Sequence, residues 1–107
     1  MHSTGVMIGW TTTPTEEEAH RLGRGLIEAG LAACVQISGP ITSVYRWEGK
    51  VETASEFRLA VKFADSKTDE LSRWIDAHHS YDTPQWVVCE AKSGTEKYLN
   101  WVKGIPS

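Results

Sequence analysis

What the chain lacks narrows the field first. It has only two cysteines, Cys34 and Cys89, far apart among 107 residues and forming no Cys-x-x-Cys pair. Neither a disulfide scaffold nor a zinc knuckle is expected from that spacing, and free thiols in a reducing cytoplasm are the simple reading. It has no basic excess: 11 Lys and Arg stand against 14 Asp and Glu, a formal net charge of -3. Nothing there neutralises phosphates, so neither nucleic acid nor a membrane surface is expected as a partner. Apolar runs are only a few residues long, short of a transmembrane helix. Met1 to Gly9 has no cationic stretch ahead of a long apolar one, so no secretory signal is expected. No repeat, low-complexity tract or glycine-rich phosphate loop interrupts the sequence. Its length fits one domain, residues 1–107, placed by these readings in the cytoplasm.

What is present is periodic. Val6, Ile8 and Trp10 alternate within Gly5 to Thr12, as a first strand requires. Thr15 and Glu18 have capping-box spacing ahead of Ala19, Leu22, Leu26 and Ile27, which recur at helical intervals until Gly30. The run Glu16 to Glu18 suits the positive end of that helix and reads as a solvated first turn. A long second strand is expected from about Leu31, kinked at Gly39-Pro40, where proline cannot donate to a ladder. Glu48-Gly49 makes a tight reversal into a third strand, Val51 to Phe63, with Phe57, Leu59, Val61 and Phe63 on one face. A second helix spans about Ser66 to His79, with Ser66 as candidate cap and Leu71, Trp74 and Ile75 as inner stripe. A turn from Ser80 to Gln85 leads to a fourth strand, Trp86 to Ala91. Ser93 and Glu96 have cap spacing before a last helix marked by Tyr98, Trp101, Val102 and Ile105. The order βαββαβ plus a C-terminal helix is α+β, the ferredoxin-like split βαβ with a long central hairpin. Such a hairpin outreaches the chain's own helices, and uncovered strand edges invite another chain.

That fold hosts enzymes, RNA binders, metal carriers and signalling trimers, so the residues must decide among them. Glu56 to Val61 lacks the basic, glycine-rich aromatic strand of an RNA-recognition module. Thr11-Thr12-Thr13-Pro14 stands where a soft-metal carrier has Cys-x-x-Cys. Four segments carry a more specific signal. Leu31 to Val35 reads Leu-Ala-Ala-Cys-Val. Thr42 to Glu52 fits Thr-Ser-x-Tyr-x-Trp-x-Gly-Lys-x-Glu. His78 to Pro84 is similar to His-Pro-Tyr-x-x-Pro, and Tyr98 to Trp101 reads Tyr-Leu-x-Trp. In this order, over nearly the whole chain, they resemble the CutA divalent-cation-tolerance family. The resemblance implies a ferredoxin-like subunit whose hairpins assemble a homotrimer, an architecture like the PII nitrogen-regulatory proteins, and a link to copper and other divalent cations.

Two departures bear on chemistry. Copper ligands proposed in the family are a Cys ending the first strand, a His ending the second helix and a Glu after the turn's Pro. Carried onto this sequence, those positions are Thr11, His78 and Gln85, and the turn's first Pro is replaced by Ser80. Thiolate and carboxylate are both lost, so His78 and His79 remain as candidate metal ligands and only weak Cu(II) or other divalent-cation binding is expected, with no certain cofactor. Their other reading is capping at the negative end of a helix. Tyr45, Trp47, Glu48, Lys50, Glu52 and Lys62 are the candidate interface or cleft residues, with Trp47 as an anchor. Cys34 reads as a small buried hydrophobe. The leading reading is a non-enzymatic trimer linked to cation tolerance. The alternatives are a PII-like sensor that binds an anionic metabolite in inter-subunit clefts, using Lys50, Lys62 or Arg46, and a small enzyme using Tyr81, His79 or Cys34.

Overall fold

The computed structural model describes residues 3–106. The elements run β1 (Val6–Thr13), α1 (Glu16–Glu28), β2 (Cys34–Trp47), β3 (Lys50–Ala64), α2 (Thr68–His78), β4 (Val87–Glu90) and α3 (Glu96–Lys103). The strands form one antiparallel sheet in the order β2-β3-β1-β4, the topology expected of the split βαβ.

Local chemistry sets most of the boundaries. Thr15 Oγ1 accepts the Glu18 N–H at 3.1 Å and opens α1. Gly30, at φ 72°, closes it, with the Leu31 N–H donating to the Leu26 carbonyl at 3.0 Å. That closure occupies the Leu31 amide, so β2 begins at Cys34 and not near Leu31. Two expected caps do not form. Asp65–Lys67 is a 3-10 turn, and the Thr68 hydroxyl donates to the Asp65 carbonyl at 2.7 Å, so Ser66 is not the cap of α2. Helix α3 begins at Glu96 behind Thr95 with no side-chain cap, so Ser93 does not serve either. Strand β4 is shorter than expected. Trp86 leaves the strand, its Nε1–H donates to Ser72 Oγ at 2.9 Å, and its ring occupies the space a Cβ on Gly9 would need.

The register places Met7, Gly9, Thr11 and Thr13 beside Phe63, Val61, Leu59 and Phe57 on one face. Against this face pack Ala19, Leu22 and Leu26 of α1 and Leu71 and Ile75 of α2, which form the hydrophobic core. The opposite face carries Ile8 and Trp10 of β1, Ala60 and Lys62 of β3, Cys34 and Gln36 of β2, and Val87 and Cys89 of β4. No crossover helix covers it. At its far end the Lys62 ammonium lies over the Tyr98 ring of α3, 5.4 Å from the centroid. Of the residues expected to mark the last helix, Ile105 lies beyond it, because Gly104 at φ 72° closes α3 after Lys103; Val102 is buried, whereas Tyr98 and Trp101 are exposed.

Strand β1 ends at the Thr13–Phe57 pair, but β2 and β3 continue together from Ile41–Glu56 to Trp47–Lys50. This two-stranded ribbon starts at the bulge beside Gly39-Pro40 and closes at Glu48-Gly49, both residues at positive φ (49° and 80°). That pair of angles is the hairpin turn whose twist matches its strands. The ribbon lengthens the molecule to 48 × 30 × 23 Å and raises its radius of gyration to 14.8 Å, against about 13 Å for a globule of this length.

Candidate functional site

Where β1 stops, side chains from four parts of the chain meet. His79 follows α2 and is buried. The Tyr81 backbone N–H donates to its Nδ1 at 3.1 Å, so Nδ1 is the acceptor and Nε2 carries the proton. Nε2 lies 2.8 Å from the Thr12 carbonyl and donates to it. Both ring nitrogens are therefore committed to backbone. Glu18 of α1 reaches across, accepting the Ser80 N–H at 3.1 Å, with its Oε2 3.7 Å from His79 Nδ1 and 3.8 Å from Arg21 Nη2. Glu18 is thus mostly buried and structural, which corrects the expectation of a solvated acidic turn from Glu16 to Glu18.

The fourth member is Glu56, the first residue of β3 beyond β1. It is 8% exposed, and its Oε2 accepts the Tyr81 hydroxyl at 2.8 Å. The Tyr81 ring also lies against His79, 5.0 Å between centroids. Burial pushes the Tyr81 hydroxyl well above the usual tyrosine range. The hydrogen bond and charge of Glu56 add to this, as do Tyr45 and Glu18 nearby. The result is an acidic, hydrogen-bonded corner at the root of the ribbon.

The expected ligand positions fall elsewhere and differ in kind. Thr11 is completely buried, and its Oγ1 has no hydrogen-bond partner. Gln85 is exposed. His78 stacks on Trp74 at 4.0 Å, with Nδ1 2.8 Å from the Trp74 carbonyl. Of the two candidate histidines, only His78 keeps a ring nitrogen without a backbone partner. Among the described residues no group of three or more His, Cys, Asp or Glu could hold a metal ion. A buried hydroxyl, one imidazole and a neutral amide do not fit a tight transition-metal centre.

The candidate cleft residues divide in two. Tyr45 and Trp47 lie opposite Glu52 and Lys50 on the ribbon, beside Glu48 at its turn, and Trp47 is 56% exposed. Lys62 lies about twelve residues along β3 from Lys50, on the order of 40 Å at strand rise. One subunit therefore does not bring them together. Of the three candidate reactive groups, Tyr81 and His79 meet, but Cys34 sits opposite Lys62 at the other end of the sheet and is only half-buried. Sequence reasoning missed Glu18 and Glu56. The capping spacing of Glu18 explained it locally, and nothing in β3 marked Glu56 as partner of a residue 25 positions away.

Comparison with known proteins is consistent across the chain. The family model described as CutA1 divalent ion tolerance protein matches residues 7–104. The protein CutA 1, chloroplastic, of Oryza sativa subsp. japonica is 41% identical over 97 residues, covering 91% of this chain and 55% of that protein. The divalent-cation tolerance protein CutA of Archaeoglobus fulgidus is 41% identical over 93 residues, covering 87% of this chain and 90% of its own. The chain spans about half the length of the two plant relatives it matches, 55% and 53%. The crystal structure of CutA1 from Oryza sativa superposes with a TM-score of 0.91 at 39% identity, covering 95% of this chain and 94% of that one.

Proposed function

The chain belongs to the CutA1 divalent ion tolerance family, and from that premise we propose that it works as a non-enzymatic homotrimer in the response to divalent cations, copper among them, in the cytoplasm. The observation that carries the trimer is the one-sided sheet. Helices α1 and α2 cover one face, while Trp101 and Val87, each more than half exposed, flank the other, and Tyr45 and Trp47 stand out on a ribbon with no core of its own. Apolar surface of this extent marks an interaction site, and closed symmetry is the usual way to satisfy it with copies of one chain. The non-enzymatic reading is supported by the corner at His79. Its imidazole is held by backbone on both nitrogens, and the Tyr81 hydroxyl is pushed away from neutral pH, so neither is poised to move a proton.

The metal side of the proposal is weak, labile binding, centred on His78. Light scattering at micromolar concentration should give about three times the chain mass, and a folded monomer would reject the assembly. Calorimetric titration of Cu(II) should give a dissociation constant in the micromolar range or weaker, on the order of -8 kcal/mol or less favourable. Binding should fade below about pH 6.5, where ordinary imidazoles protonate, and His78→Ala should reduce it further. A nanomolar site indifferent to that change would show that other ligands hold the metal.

A further inference from the structure

Glu56 poses a problem that the rest of the chain does not solve. It is 8% exposed, yet among the described residues the one Arg or Lys ion pair is Glu18–Arg21, the histidine–carboxylate contacts are Glu16–His20 and Glu18–His79, and none reaches Glu56. Its one hydrogen-bond partner is a neutral hydroxyl, that of Tyr81, at Oε2. Among the described residues Oε1 has no partner, but solvent reaches it, since the only fully buried side-chain oxygen or nitrogen without a partner there is Thr11 Oγ1. Water reaches Oε1, and a carboxylate this buried is best held where a countercharge meets it. The chain supplies negative neighbours instead: Glu18 acts on the same tyrosine hydroxyl that Glu56 binds.

The surroundings specify what could meet it. Glu56 is the first β3 residue beyond the last β1 pair, so no β1 residue covers that edge. A carboxylate beside a phenol ring recognises protonated nitrogen, through charge-assisted hydrogen bonds and through the ring face. An anion would be repelled by Glu18 and Glu56. A metal ion would need more ligands than one carboxylate and one phenol, and no set of three is present among the described residues.

We propose that Glu56, with Tyr81, is a binding site for a protonated amine or guanidinium group brought from outside the subunit. Two sources carry this chemistry: a free amine, and a Lys or Arg side chain of a second copy. The proposal does not use His78, so its failure would leave the divalent-cation reading standing.

The test uses Glu56→Gln, which removes the charge but keeps an acceptor for the Tyr81 hydroxyl. Melting temperatures of both proteins are measured with and without agmatine and putrescine, and assembly is followed by light scattering on dilution. A ligand that binds only the folded form raises the melting temperature. If the source is a free amine, the wild type gains this rise, Glu56→Gln loses it, and assembly is unchanged. If the source is a second copy, the amines do little and Glu56→Gln dissociates at a protein concentration at least about tenfold higher. Either result supports the proposal. A Glu56→Gln protein that melts higher than wild type, assembles equally and ignores both amines would overturn it, because the charge would then have been merely a burden. Should Glu56→Gln fail to fold, Tyr81→Phe takes its place. It leaves the carboxylate and removes one acceptor, and the proposal then requires a weakened amine response or a weakened assembly. Neither change in a folded Tyr81→Phe protein would overturn it equally.

Discussion

His79 and Tyr81 show how a titratable residue can be structural. The imidazole joins the end of β1 to the turn after α2, accepting from the Tyr81 N–H and donating to the Thr12 carbonyl. The phenol then ties that turn to β3 through Glu56. Burial first, and Glu56 second, hold the Tyr81 proton more tightly in the fold than in the unfolded chain. Above about pH 10, where an unfolded tyrosine ionises, the folded chain therefore retains a proton that the unfolded chain has released. Stability should fall as pH rises through that window. Urea midpoints at pH 8 and pH 11 should show a steeper loss for wild type than for Tyr81→Phe. Equal losses would mean that Tyr81 titrates alike in both states. None of this was legible in the sequence. Spacing identified His78 and His79 as a pair at a helix end, but whether a ring nitrogen faces solvent or a carbonyl 67 positions away is decided by packing.

At the level of elements, what is local was legible and what is not was missed. Thr15 and Gly30 bracket α1 because a cap is made by residues three or four apart, and the structure uses both. Thr15→Ala should cost about 1 kcal/mol of stability, read as a shift in urea midpoint with unchanged slope. A neutral result would mean that α1 is held by Leu22 and Leu26 alone. The starts of α2 and α3 were misread for a physical reason. Serine offers the same hydroxyl wherever it stands, and the choice of Thr68 bonding to Asp65 over a cap at Ser66 depends on how β3 delivers the chain. The stripe of α3 misleads in a related way. Tyr98, Trp101 and Val102 recur at helical spacing, but of these only Val102 is buried within the subunit. Periodicity reports that a face wants burial and does not say in which molecule.

For the whole molecule, that distinction becomes the main expectation. Four strands, two crossover helices and their order could be read from alternation and turn signals, whereas the sheet face that no crossover helix covers could not, since strand order and register decide it. The candidate anchor Trp47 stands near the tip of the ribbon, opposite Lys50. If it packs into a neighbouring copy, Trp47→Ala should loosen the trimer by about 2 kcal/mol or more, seen as dissociation on dilution that wild type resists. Unchanged assembly would remove Trp47 from the interface.

The ribbon also imposes an order on folding. Between Ile41–Glu56 and Trp47–Lys50 its only ladder is internal, and two strands alone are marginal in water. In a lone subunit its amides should exchange with deuterium far faster than those of Leu59, Val61 and Phe63, which sit in the core. Refolding should therefore proceed in two kinetic stages. The sheet and helices form first, at a rate independent of protein concentration. Protection of the ribbon follows in a slower phase whose rate climbs as the protein is concentrated.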